Sequence, residues 1–212
     1  MARFLVVLDV DSTLIENEVI ELLADEAGSL DAVTAITAQA MNGELDFEQS
    51  LRARVATLRG LTAQDVAVAL SRITVTRGVP ELIEAVHAEG GSVGVVSGGF
   101  HEAIDDLAEE LGLDYWHANR LEVRDGVLTG EISGSVVDAA AKAHALRRWA
   151  ADSDLPLSQT IAVGDGANDL AMMSICGLAV GFDAKAPVRD AAHVLIDERD
   201  LSQLLPLLGL RG

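Results

Sequence analysis

The sequence predicts an α/β fold, a parallel sheet flanked by helices, with an all-helical segment inserted after the first strand. Three observations carry that expectation. Short β-branched apolar runs recur along the chain, and each ends in a polar loop. From about residue 75 onward, helical patterns alternate with those runs. Between Glu16 and Ser71 there is no strand candidate, only apolar residues at three-four spacing.

In chain order, the first strand is Arg3 to Leu8, followed by Asp9-Val10-Asp11-Ser12-Thr13. The helical insert then shows three stripes: Val19, Leu22 and Leu23; Val33, Ile36 and Met41; Phe47, Leu51 and Val55. Thr62-Ala63-Gln64-Asp65 reads as a capping box that opens a fourth helix. Such an insert should form a lid over the sheet edge. A helix over residues 79–89 leads to a second strand over 92–96, which ends in Ser97-Gly98-Gly99, and a helix over 101–111 follows. Leu121 to Leu128 alternates around Asp125-Gly126, a β-hairpin signal. A helix over 139–151, a strand over 160–163 ending in Gly164-Asp165-Gly166, and a helix over 170–175 come next. Strands over 178–180 and 194–196 and a helix over 201–208 complete the reading.

Composition narrows the function. The chain has 212 residues, half of them apolar, enough for a packed core without disulfides or a structural metal. Its one cysteine, Cys176, lies in an apolar stretch, reads as core packing, and points to a reducing compartment. The opening apolar run is too short and too soon charged for a secretory leader, and no stretch approaches a membrane span. The expectation is a soluble, cytoplasmic protein. A net charge of -19 argues against nucleic acid and anionic lipid as partners. Only two of the basic residues are lysines, Lys142 and Lys185, so each is singled out.

The chemistry gathers at strand ends. In open α/β sheets, ligands bind outside the carboxyl ends of the strands, so the three polar loops should bring Asp9, Asp11, Ser97, Asp165 and Asp169 together. Two like charges about 4 Å apart cost roughly 4 kcal/mol at an effective dielectric near 20. A divalent cation relieves that repulsion, and hard oxygen ligands favour Mg²⁺. Rival motifs fail. A calcium loop starting at Asp9 would need glycine where Leu14 stands and glutamate where Ile20 stands. Ser97-Gly98-Gly99-Phe100 lacks the Walker lysine, and Gly164 to Asp169 puts aspartate where a dinucleotide fingerprint needs its third glycine. Metal-assisted phosphoryl chemistry remains.

Asp9-Val10-Asp11-Ser12-Thr13, Ser97-Gly98-Gly99, Lys142 and Gly164-Asp165-Gly166-Ala167-Asn168-Asp169 resemble, in order, the four motifs of the haloacid dehalogenase superfamily. Glu18, the stretch Asn42 to Val55, Val96 to Phe100 and Ala118-Asn119-Arg120-Leu121 are similar to its phosphoserine phosphatase branch, and the likeness runs from about residue 4 to residue 205. Val10 departs from the phenylalanine of many relatives, with no consequence expected for the chemistry. The resemblance implies a Rossmannoid core over residues 1–15 and 75–212 and a helical cap over 16–74 that sets substrate specificity. It leaves no room for the regulatory domain that some relatives carry.

It also implies roles. Asp9 would be the nucleophile and form an aspartyl-phosphate. Asp11 would be the general acid and then the base. Lys142 would neutralise the transferring group. Asp9, the backbone carbonyl of Asp11 and Asp165 would hold Mg²⁺, with Asp169 acting through water or from behind the direct ligands and Asn168 beside it. Ser97, Gly98 and Gly99 would cradle the phosphate at a helix start. In the cap, Glu18 would meet the ammonium of O-phospho-L-serine and Arg54 its carboxylate, while Met41 and Phe47 would exclude water. The plainer alternatives are solvated helix charges for Glu18 and Arg54, and ordinary core for Met41 and Phe47. His101 reads as a helix start. The implied activity is phosphoserine hydrolysis, the last step of serine biosynthesis. The rivals are a phosphatase or phosphotransferase for another small phosphorylated metabolite, and a non-catalytic phosphate-binding protein. Nothing in the pattern separates a monomer from a homodimer.

Overall fold

The first apolar run becomes β1 (Leu5–Leu8), buried along its whole length, and the rest of the computed structural model is arranged around it. The structure describes residues 2–210; residue 1 and residues 211–212, at the ends of the expected core, lie outside them. The other strands are β2 (Ser92–Phe100), β3 (Tyr115–Arg124), β4 (Val127–Ser133), β5 (Thr160–Gly164), β6 (Leu178–Phe182) and β7 (Val194–Ile196). They form one sheet in the order β4-β3-β2-β1-β5-β6-β7, parallel except for the β3–β4 pair. The chain order reverses direction about β1, whose neighbours are β2 and β5. A crevice for a ligand therefore opens at the carboxyl ends of these three strands.

The parallel strands read as continuous apolar runs because both faces are covered. Alternation sends Val6 and Leu8 into one hydrophobic cluster and Leu5 and Val7 into the other. The helices are α1 (Val19–Glu26), α2 (Leu30–Met41), α3 (Phe47–Ala56), α4 (Ala63–Leu70), α5 (Val79–Ala88), α6 (His101–Leu111), α7 (Ala139–Asp152), α8 (Leu170–Met173), α9 (Ala186–Ala191) and α10 (Leu204–Leu207). Trp149 and Leu146 of α7 and Met172 of α8 belong to the Leu5–Val7 face. Val86 of α5 and Ile104 of α6 belong to the Val6–Leu8 face.

The segment carrying α1 to α4 leaves the sheet layer beside the place where it returns. Ile15 and Val75 form an isolated antiparallel bridge, and the Glu16 amide donates to the Thr74 carbonyl at 2.9 Å. Within the segment α1 packs on α4 and α2 on α3, and α3 also rests on β4. Two N-termini are closed by reciprocal capping boxes, Asp46 with Gln49 at α3 and Thr62 with Asp65 at α4.

The structure corrects several boundaries. β2 does not stop at Val96 but continues through Ser97-Gly98-Gly99 to Phe100, with its pairing to β3 irregular between Val96 and Phe100. The expected hairpin is the second half of a longer strand: β3 begins at Tyr115 and runs parallel to β2 before it pairs antiparallel with β4. The turn is as expected, with Asp125 and Gly126 at φ 51° and 79°. α9 was not anticipated; it is short and carries Pro187 in its first turn. α8 ends at Met173 rather than Ile175, and the last helix begins as a 3₁₀ turn over Leu201–Gln203. Among the described residues no helix is long and apolar enough to cross a membrane.

Candidate active site

Asp9 is the first residue past β1, and its amide donates to the carbonyl of Val163 in β5 at 2.9 Å. Its carboxylate is nearly buried. Oδ1 accepts from the Val10 amide at 2.7 Å and from Lys142 Nζ at 2.6 Å, which fixes the side chain with its oxygens inequivalent. No hydrogen bond among the described residues reaches Oδ2. The chain then turns tightly through Val10–Leu14, with Ser12 at φ 57°, a left-handed conformation. That turn aims Asp11 back over β2. Asp11 Oδ1 accepts from the Val19 amide at 2.8 Å, and Oδ2 accepts from the Ser97 hydroxyl at 3.2 Å.

Lys142, in the first turn of α7, is fully buried and donates to Asp9 at 2.6 Å and to Asp169 at 2.8 Å. Burial alone would lower its pKa, but the two carboxylates outweigh that and keep it an ammonium. Asp169 is also fully buried, and its second oxygen accepts from the Gly166 amide at 3.2 Å. A side chain at Gly164 would collide with the Asp169 carboxylate, so a glycine is required there.

Two lysines, Lys142 between Asp9 and Asp169 and Lys185 beside Asp165, do not balance the four acids Asp9, Asp11, Asp165 and Asp169. Burial, with Asp169 next, pushes Asp9 well above the usual carboxylate range, although Lys142 pulls it back. Burial lifts Asp11 as well, against the hydrogen bonds from Val19 and Ser97. Carboxylate oxygens of Asp9, Asp165 and Asp169 all lie within 4.8 Å of one another, and all three residues are buried. The donors are hard oxygens carrying excess negative charge. This arrangement fits a small divalent cation.

Gly98 and Gly99 bring bare backbone to the same place. A Cβ on Gly99 would sit 2.6 Å from Asp11 Oδ2, and one on Gly98 would sit 2.8 Å from Phe47 Cζ. Asn119 steadies the strand: its amide donates to the Gly98 carbonyl at 2.8 Å and its oxygen accepts from the Val137 amide at 2.8 Å.

These groups open onto a cavity of about 120 Å³. It is lined by Asp9, Asp11, Asp165 and Asn168 from the loops at the strand ends and by Glu18, Phe47 and Arg54 from the helical segment. Glu18 Oε1 accepts from the Ser12 hydroxyl at 2.8 Å. Burial, and then the Asp11 charge, lift its pKa to about 7. Burial presses the Arg54 guanidinium down, while Glu18 and Asp11 hold it up.

The expected site residues thus converge, with one exception. Met41 is 84 % exposed at the end of α2 and is not part of the cavity wall. Neither the water-excluding role nor the core alternative describes it here, because the last turn of α2 points it to solvent. The apolar wall is instead Phe47 with Ile20, Leu51 and Phe100. Sequence reading also gave Lys185 no role. It lines the cavity, and its Nζ lies 2.8 Å from Asp165 Oδ2. The one signal for it was the scarcity of lysine.

Comparison with known proteins agrees with this geometry. The family model for haloacid dehalogenase-like hydrolases matches residues 6–174. A phosphoserine phosphatase from Streptomyces coelicolor is 54% identical over 209 residues, which is 99% of this chain and 51% of that one. A phosphoserine phosphatase from Streptococcus thermophilus is 50% identical over 204 residues, covering 96% of this chain and 95% of that one. The chain therefore spans about half the length of the first relative and nearly all of the second. A solved structure of a phospho-aspartyl intermediate analogue of phosphoserine phosphatase superposes with a TM-score of 0.92 at 44% identity, covering 98% of this chain and 99% of the other.

Proposed function

We infer that this chain, which belongs to the haloacid dehalogenase-like hydrolase family, hydrolyses O-phospho-L-serine to serine and phosphate through an aspartyl-phosphate on Asp9. The observation that carries the substrate is that Glu18 and Arg54 line the same small cavity as Asp9 and Asp11. A phosphorylated amino acid needs an anion for its ammonium and a cation for its carboxylate, and arginine suits the latter through bidentate geometry. At about 120 Å³ the cavity lies well under the roughly 300–1,000 Å³ of pockets for larger ligands, which favours a small metabolite.

The Asp9 carboxylate attacks phosphorus, a P–O bond forms to Asp9, and the bond to the seryl oxygen breaks. Asp11, kept protonatable by burial, gives its proton to the departing seryl oxygen. In the second half the same carboxylate takes a proton from water as that water attacks the phosphorus and Asp9 departs. Ser97 holds Asp11 in place, and the Gly98 and Gly99 backbone leaves room for the phosphoryl oxygens. Lys142 orients Asp9 and opposes the growing charge. Asp9, Asp165 and Asp169, with the Asp11 carbonyl, would hold Mg²⁺, which would supply positive charge to the phosphoryl oxygens. Asn168 stands beside this group on the cavity wall. Residues 16–74 serve as the cap that selects the substrate, and residues 1–15 and 75–212 as the core. The setting is cytoplasmic serine biosynthesis.

The test is phosphate release from O-phospho-L-serine beside a panel of other phosphomonoesters, with chelator and Asp9→Asn controls. The expected result is a strong preference for phosphoserine that is lost with chelation and with the substitution. Metal-dependent release from a different ester alone would discard the Glu18–Arg54 assignment.

A further inference from the structure

Two lysines serve the acidic cluster, and they are held very differently. Lys142 is fully buried and fixed between Asp9 and Asp169. Lys185 approaches from the other side, at the start of α9. Its amide donates to the Asp165 carbonyl at 2.9 Å, and its Nζ lies 2.8 Å from Asp165 Oδ2. Its side chain is 65% exposed, against 8% for the aspartate it meets. Asp165 is thus a buried carboxylate whose cation is tethered by the backbone but free to swing on a four-carbon stem.

We propose that Lys185 is an exchangeable counter-ion: it competes with the divalent cation for the charge of Asp165 and, once displaced, binds the phosphate of the incoming substrate. This rests on the phosphatase reading given above. The competition follows from Coulomb's law. A monovalent and a divalent cation drawn to one buried carboxylate repel each other strongly where solvent screening is weak. Lys142 cannot yield, because both of its partners are buried with it. Lys185 can, because most of its side chain is in solvent and the residue already lines the cavity. The substrate side follows from charge: in a chain of net charge -19, Arg54 and Lys185 are the only cations among the described residues that line the cavity. If Arg54 takes the carboxylate, Lys185 is left for the phosphate.

The consequence is a pair of effects with opposite signs. Calorimetric titration of Mg²⁺ into metal-stripped protein should show Lys185→Met binding the ion three- to tenfold more tightly than the unsubstituted chain. Steady-state assays of the same variant should show KM for O-phospho-L-serine raised about tenfold, with the loss falling mainly on KM. Lys185→Arg should keep both values within about threefold of the original. A residue that only supported the fold would weaken both interactions. Unchanged or weaker Mg²⁺ binding by Lys185→Met overturns the proposal, as does an unchanged KM. The phosphatase reading is judged separately, by whether Asp9→Asn abolishes phosphate release.

Discussion

Glu18 shares its cavity with Asp11, and burial and that neighbouring charge hold its pKa at about 7, against an ordinary value of 4.5. Under the proposed assignment, only the ionised form receives the substrate ammonium. As pH falls below about 7 the free enzyme loses that form, so kcat/KM for phosphoserine should drop about tenfold per pH unit. In Glu18→Gln the limb assigned to Glu18 should vanish, leaving a pH-independent deficit on the order of a hundredfold. An aryl phosphate without an ammonium controls for titration of the phosphate itself, and its profile should not respond to the substitution. An equal loss on both substrates would remove Glu18 from the ammonium site. At this scale the sequence was most informative where chemistry restricts the choice of residue. Asp9, Asp11, Asp165 and Asp169 were legible because several acids at strand ends require a cation, and Lys142 through its scarcity and the resemblance to the family motifs. Lys185 was visible only as a rare residue type, since nothing local ties it to Asp165; that contact is made by folding α9 against the loop after β5. Met41 was misplaced for the converse reason. A stripe at helical spacing gives the face of a helix but not whether its last turn still meets the cavity.

At the scale of elements, the stretch from Ser97 to Phe100 shows why boundaries are harder to read than motifs. Two glycines after an apolar strand look like a loop. Here they remain strand, because Asn119 in β3 ties the Gly98 carbonyl and the register slips to accommodate the irregularity. The hairpin had a local signal, Asp125-Gly126, but the parallel half of β3 had none, since its pairing with β2 is made across the intervening α6 rather than through a tight turn. The glycines themselves differ in a way that can be measured. A Cβ on Gly99 would press on Asp11 at 2.6 Å and on Ser97 at 3.0 Å, both held by the same hydrogen bonds. Gly99→Ala should therefore lower kcat by a hundredfold or more, since displacement of a reacting group by about an ångström costs that much. A Cβ on Gly98 meets chiefly the far end of Phe47, which can rotate away, so Gly98→Ala should retain far more of kcat. Comparable kcat values for the two variants would show that Asp11 is not held as tightly as its contacts imply. Thermal unfolding of both proteins would separate this from a general loss of stability.

Across the whole molecule, the site exists because the order of strands reverses at β1. Alternating strand and helix patterns predict a parallel sheet but not this strand order, which brings together residues as distant as Asp9 and Lys142. The helical segment leaves and re-enters beside that point, at Ile15 and Val75, so its Glu18 and Arg54 face carboxylates supplied by the sheet. The chain carries a net charge of -19, and among the described residues that line the cavity the positive charge needed for an anionic substrate comes from Arg54 and Lys185. The central claim is that phosphorus passes through Asp9. The most direct measurement is a rapid acid quench during turnover of phosphoserine, followed by borohydride reduction and peptide mass spectrometry. Reduction of an acyl phosphate converts the aspartate to homoserine, so homoserine is expected at position 9, dependent on substrate. Steady phosphate release with Asp9 unmodified, or with another residue modified in its place, would contradict it.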